Sequence, residues 1–163
     1  MEEIYIRSIR KILANKKRLE KELNISIKNR GRLLLIESKD PLNAYLACQI
    51  IEALNLGFKI EEALLLKNEE YQFEKIPIKD VTKRKTLSQV RARIIGKQGK
   101  TLELLQTLSN CFIVLHDNIV GLIGKCEEIE TSIQAVKNLI RGSRQGNVYG
   151  YLEKQRKTIK TSF

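Results

Sequence analysis

Apolar residues recur along this chain at two alternating periods, and the alternation comes round twice. In the stretch 9–23, Ile9, Ile12, Leu19 and Leu23 fall near helical spacing with Lys and Arg between them. Ile25-Ser26-Ile27, a turn at Asn29-Arg30-Gly31 and the run Leu33-Leu34-Leu35-Ile36 then predict a β-hairpin. Asp40-Pro41 offers an N-cap followed by proline at the first helical position, and Ala47, Ile50, Ile51 and Leu54 share one face of a helix that stops near Gly57. The second half repeats the order. Residues 71–78 alternate like a strand, and Leu87, Val90, Ile94 and Ile95 form a helical stripe ending at Gly96. Leu102, Leu105 and Leu108 follow on another helix, and two apolar strands, 112–115 and 119–123, flank Asp117-Asn118. Ile129, Ile133, Val136 and Ile140 mark a last helix closed by Gly142.

Each half therefore predicts strand, helix, turn, helix, strand, strand, helix, with matching elements about 85 residues apart. Short amphipathic helices on one face of a small three-stranded antiparallel sheet make an α+β architecture, built twice: residues 1–70 and residues 71–163. The junction around 59–70 holds Ala63-Leu64-Leu65-Leu66, too apolar for a loose linker, so the two units are expected to pack together.

Charge sharpens this picture. The net charge is +11, but residues 1–78 carry 14 Lys/Arg against 12 Asp/Glu, whereas residues 79–163 carry 16 against 7. Between positions 79 and 100 stand eight basic residues and a single acid, Asp80. Such asymmetry favours a polyanionic partner, nucleic acid or an anionic membrane surface. A membrane-surface helix pairs its basic residues with bulky aromatics, and none cluster beside this run, so nucleic acid is preferred. No apolar run approaches the roughly 20 residues of a bilayer span, and Met1-Glu2-Glu3 lacks the layout of a signal peptide. Cys48, Cys111 and Cys126 are widely spaced, form no CxxC and predict buried thiols in a reducing cytoplasm, not a metal site.

The chemistry concentrates in Gly96-Lys97-Gln98-Gly99. A chain that must reverse between two helices and admit a phosphate to its backbone needs residues that accept positive φ and carry no Cβ. The helix beginning at Lys100 presents unpaired N–H groups and the positive end of its dipole. Lys97 and Lys100 add charge, Arg84, Arg91 and Arg93 are placed to follow a strand of nucleic acid, and Ile94, Ile95 and the strand 112–115 are expected to form a floor for bases. A bare GxxG is weak evidence. Between two amphipathic helices, ahead of a hairpin and a third helix, it is strong.

In that setting Arg93-Ile94-Ile95-Gly96-Lys97-Gln98-Gly99-Lys100-Thr101 resembles a type I KH domain, whose GxxG loop clamps about four nucleotides. The resemblance covers the chain as two tandem KH-like units. The segment from Gly142 to Gly150, and Gly57-Phe58 followed by Glu62-Ala63-Leu64, are similar to the archaeal-type Pno/Dim ribosome-assembly factors, relatives of Krr. The resemblance implies binding of single-stranded small-subunit rRNA near its 3′ end during rRNA processing, beside a PIN-domain endonuclease. It also implies contact with the alpha subunit of translation initiation factor 2. The residues themselves are read as giving no catalysis, no cofactor and no metal. The alternative reading is a protein-interaction scaffold that recruits the endonuclease or a translation factor, with RNA contact secondary.

The first unit departs from the pattern. Counting back from Ile25 as one counts back from Cys111 lands on Arg10-Lys11-Ile12-Leu13, with no glycine. Two roles remain open for it: a protein-contact surface, or an electrostatic auxiliary through Arg10, Lys11, Lys16, Lys17 and Arg18. Other chemistry fares worse. Gly99-Lys100-Thr101 resembles the end of an NTPase phosphate loop, but that motif needs glycine where Ile94 stands and a strand before it. His116 beside Asp117 has no nucleophile near it, and Glu127, Glu128 and Glu130 suit the positive end of a helix. Tyr149 and Tyr151 either stack on bases or pack the tail onto the second unit.

Overall fold

The computed structural model describes residues 1–162, with side chains to Ile159. Contacts cluster into one unit formed by Met1–Glu69 and another that begins at Glu70. The first contains β1 (Glu2–Tyr5), α1 (Ile9–Ala14), α2 (Lys16–Leu23), β2 (Ser26–Arg30), β3 (Leu33–Glu37), α3 (Pro41–Leu56) and α4 (Ile60–Leu64). The second contains β4 (Tyr71–Pro77), α5 (Ile78–Val81), α6 (Leu87–Ile95), α7 (Lys100–Ser109), β5 (Phe112–His116), β6 (Ile119–Lys125), α8 (Cys126–Arg141) and α9 (Gln145–Ser162).

Each unit forms a three-stranded, fully antiparallel sheet with its last strand in the middle, β1-β3-β2 and β4-β6-β5. Ile27 faces Ile36 across the first sheet and Ile113 faces Leu122 across the second, the same register 86 residues on. The edge strands are treated alike too. Ile27 N donates to Glu20 Oε1 at 2.9 Å, and Ile113 N donates to Gln106 Oε1 at 3.0 Å. A helix side chain thus satisfies one edge amide in each unit, which would otherwise invite pairing with another strand.

Local rules account for most boundaries. Asp40 accepts from Leu42 N at 2.9 Å with Pro41 at the first helical position, and α3 and α8 end at Gly57 and Gly142, both with positive φ. The core of the second unit gathers Ile76, Val90, Ile94, Leu105, Ile113, Leu122, Ile129, Val136 and Ile140 between the helices and one sheet face.

Three expectations change. The turn between the first two helices, expected at residues 10–13, lies at Asn15, whose side chain donates to Lys11 O at 2.8 Å. The first hairpin turns at Gly31-Arg32, because Arg30 pairs with Leu33. The segment expected as a tail from 142 to 150 is largely helix: α9 starts at Gln145 and buries Val148 and Leu152 in the core of the second unit. Gly146 and Gly150 cost this helix about 1 kcal/mol each. Burial of Val148 and Leu152 offsets that. Tyr149 and Tyr151, partly buried, pack against the same core.

Thiol chemistry gives a check on this core. Burial pushes the Cys111 thiol up from its ordinary value, and Cys126 is exposed at the start of α8. A maleimide titration of the native chain should modify Cys126 within minutes and Cys111 only after denaturant is added; early labelling of Cys111 would contradict the packing of β5.

Candidate nucleic-acid interface

The site is built where α6 hands over to α7. Gly96 closes α6, donating to Ala92 O at 2.8 Å, and then turns to φ 75°, ψ 177°. Gln98 and Gly99 follow in the left-handed region at φ 57° and 75°, and Gly99 N donates back to Gly96 O at 3.3 Å. Gly99 is the N-cap of α7 and supplies no side-chain cap. The first turn of α7 therefore has no N-cap side chain, at the positive end of a ten-residue helix.

The two glycines serve different ends. A Cβ on Gly96 would collide with Thr101 Oγ1 and stand 2.8 Å from Thr101 N, while a Cβ on Gly99 would meet nothing within 4 Å. Gly96 is needed for the turn to close. Gly99 leaves the approach to the backbone open.

Lys97 and Lys100 at the turn, and Lys83, Arg84 and Lys85 ahead of α6, are exposed, and among the described residues none of them forms an ion pair. Gln98 is exposed beside them. The Arg84 guanidinium lies over the C-terminal end of α8, 2.8 Å from where a Cβ on Gly142 would sit.

The remaining predicted residues are placed differently. Arg93 does not reach out along a nucleic-acid strand: its guanidinium donates to Leu139 O at 3.1 Å and Ser143 O at 2.6 Å, tying α6 to the α8–α9 junction. Arg91 donates to Asn118 Oδ1 at 2.7 Å in the β5–β6 turn. Ile94 is fully buried, whereas Ile95 is 41% exposed, so only Ile95 is available to a base. In β5, Ile113 belongs to the core, and Phe112 shares a row with Phe73 and Ile123 on the other sheet face. The floor is narrower than predicted. Helical phase explains it, since Ile94 falls in line with Val90 and Ile95 one step round.

Thr101 and Gln145 escaped the sequence reading. Thr101 is 5% exposed, and Gln145 Nε2 donates both to its Oγ1 at 3.2 Å and to Arg93 O at 3.3 Å. No local sequence signal marks either residue, because the contact spans more than 40 positions.

The first unit has no such turn. Residues 10–13 lie inside α1, with Ile12 buried, and the α1–α2 junction is the single residue Asn15. Its charge is partly spent within the unit. Lys11 Nζ donates to Phe58 O at 2.5 Å, and Arg18 pairs with Glu22 at 3.1 Å and Glu61 at 3.7 Å. The Arg18 hydrogen bond, joined by Lys67, holds the Glu22 carboxyl below its ordinary value. Among the described residues no group of three His, Cys, Asp or Glu stands where it could hold a metal ion. A helix, not a strand, precedes Gly96, which removes the phosphate-loop geometry of an NTPase.

A three-stranded antiparallel sheet with the last strand central, and a GxxG turn between the two helices that precede the hairpin, is the arrangement of a type I KH unit. The family model of the second PNO1 KH domain, described as a eukaryotic-type KH domain (KH-domain type I), matches residues 72–157. The chain belongs to the PNO1-type KH-domain family. It is 32% identical over 151 residues to a KH domain-containing protein of Methanocaldococcus jannaschii, covering 89% of this chain and 66% of that protein. To the RNA-binding protein pno1 of Drosophila melanogaster it is 34% identical over 119 residues, 71% of this chain and 50% of that one. The chain thus spans two thirds or less of these relatives' length. Among solved structures it is similar to Dim2p from Pyrococcus horikoshii, with a TM-score of 0.84 at 32% identity, covering 94% of this chain and 98% of that one. A chain of the a/eIF2α–aDim2p–rRNA complex from the same organism matches with a TM-score of 0.84 at 31% identity, over 96% and 94% of the two chains. The second KH unit of this chain has the GxxG turn; in the first, the α1–α2 junction is the single residue Asn15.

Proposed function

We propose that this chain is a non-catalytic RNA-binding factor of small-subunit ribosome assembly. In this reading the second KH unit clamps single-stranded rRNA near the 3′ end of the small-subunit RNA and assists its maturation. The observation that carries it is the uncapped N-terminus of α7 behind Gly96 and Gly99, flanked by Lys97 and Lys100 with no carboxylate paired to either. Backbone N–H groups, an open glycine and unpaired cations recognise phosphate and not a particular base, so the turn positions a strand while Ile95 and neighbouring surfaces meet its bases. Relatives named as RNA-binding and pre-rRNA-processing proteins, and a neighbour solved with rRNA, support the same conclusion.

Partners follow in the same reading. The neighbour's complex with a/eIF2α supports contact with the alpha subunit of translation initiation factor 2. A PIN-domain endonuclease is the partner we assign to the maturation step itself. The first unit suits protein contact better than an electrostatic RNA role, because Lys11 and Arg18 are already engaged internally. Among the described residues no helix is long and apolar enough to cross a membrane; we assign the chain to the cytoplasm, where rRNA matures in an archaeal-type cell.

The test is binding of an oligonucleotide carrying the small-subunit rRNA 3′ end, measured against salt. Affinity should fall by roughly 0.7 log units per contacted phosphate for each tenfold rise in salt, and a duplex of the same sequence should bind more weakly. A flat salt response, with the endonuclease still captured from RNase-treated extract, would transfer the function to the scaffold alternative.

A further inference from the structure

The GxxG turn is held from behind by the last helix of the chain. Gln145, the first residue of α9, places one carboxamide between the two flanks of the turn. Its Nε2 donates to Arg93 O in the last turn of α6 and to Thr101 Oγ1 in the first turn of α7. The orientation is not arbitrary, since Arg93 O is a carbonyl and can only accept. The link is reciprocated: the Arg93 guanidinium donates to Leu139 O and Ser143 O, the backbone that leads into α9. Thr101 is also the residue against which Gly96 closes, as its Oγ1 and backbone N occupy the space a Cβ at position 96 would need. Val148 and Leu152 fix α9 in the same core as Val90, Ile94 and Leu105.

We propose that α9 is a brace for the RNA clamp, with Gln145 as its positioning residue. Held at both flanks, α6 and α7 keep a fixed separation, and the N–H groups of the turn and of α7 stay aimed at the phosphate before RNA arrives. Such preorganisation lowers the ordering cost that binding otherwise pays. Gln145 need not touch the RNA. The inference rests on the clamp reading above, and it makes α9 the element through which anything bound there alters RNA affinity.

Gln145→Met keeps the length of the side chain and removes both donors. On the full chain without RNA, hydrogen–deuterium exchange should quicken about tenfold at Gly96 and Gly99, whose N–H groups are bonded to Ala92 O and Gly96 O, and stay unchanged in β5 and β6. Affinity for the rRNA 3′-end oligonucleotide should fall about tenfold while the salt slope holds, because the phosphates contacted are the same. Thr101→Val should reproduce part of the effect, and Thr101→Ser, which keeps the hydroxyl, should restore it. Wild-type exchange at Gly96 and Gly99 in Gln145→Met would overturn the brace. So would quickening that spreads equally through α9 and the core, which marks loss of docking and not loss of aim. If the wild-type chain fails to bind the oligonucleotide, the clamp reading falls, and the exchange measurement still decides whether α9 orders the turn.

Discussion

Gly99→Asp should lose roughly 30- to 100-fold in affinity for single-stranded RNA while the chain stays folded. Position 99 has φ 75° and ψ 7°, the left-handed region that Asp and Asn tolerate better than other side chains, at a cost of about 1 kcal/mol. A Cβ there meets nothing within 4 Å, so the substitution creates no overlap. Its effect is electrostatic. At the N-cap of α7 a carboxylate accepts from the same first-turn N–H groups that a phosphate would use, and it repels the phosphate as well. Two like charges 4 Å apart at an effective dielectric of about 20 repel by about 4 kcal/mol. Screening at this turn leaves about 2–2.8 kcal/mol, which gives the fold-change stated. Gly99→Asn separates the two contributions, since it offers an acceptor without charge and should lose no more than about tenfold. Fluorescence anisotropy with a labelled oligonucleotide reads both, and a circular dichroism melt confirms folding. Affinity for Gly99→Asp within threefold of wild type would place the RNA away from the α7 terminus.

How much of this was legible in the sequence depends on how local each cause is. Asp40-Pro41, Gly57, Gly142 and the Asp117-Asn118 turn each follow a rule confined to a few neighbours, and the structure uses all of them. The GxxG turn was legible for the same reason. The break at Asn15 was not, because a one-residue junction scarcely disturbs the apolar spacing of Ile12 and Leu19. The helical state of α9 was hidden by Gly146 and Gly150, whose propensity opposes a helix that exists through the tertiary burial of Val148 and Leu152. Ile94 is a different case. Its spacing of four from Val90 was enough to turn it inward, which leaves Ile95 as the exposed one of the pair. For Arg93, composition suggests phosphate and geometry gives two carbonyls; no count of charges distinguishes an arginine facing solvent from one bonded to a helix end. The same long-range contacts that escaped the sequence, Arg93 to Ser143 and Gln145 to Thr101, are the ones that fix the shape of the turn.

That shape makes the two glycines unequal, and Gly96→Ala should show it as a loss of about 2–4 kcal/mol in stability against about 1 kcal/mol for Gly99→Ala. The motif alone treats them alike. In the structure Gly96 combines φ 75° with ψ 177°, a region that is essentially glycine-only and costs other residues about 1–3 kcal/mol. The new methyl group would also overlap Thr101, and the overlap includes its backbone N at 2.8 Å, which no side-chain rotation relieves. Thr101 cannot retreat easily, because it is buried and held by Gln145. The strain must pass into the start of α7, so the same variant should also weaken RNA binding. Gly99→Ala meets only the left-handed backbone penalty, with open space around it. Urea unfolding of the two variants measures the difference directly: the midpoint of Gly96→Ala should shift well below that of Gly99→Ala at an unchanged slope. Equal midpoints would mean that the turn yields at position 96, and that its closure against Thr101 contributes little to holding the clamp.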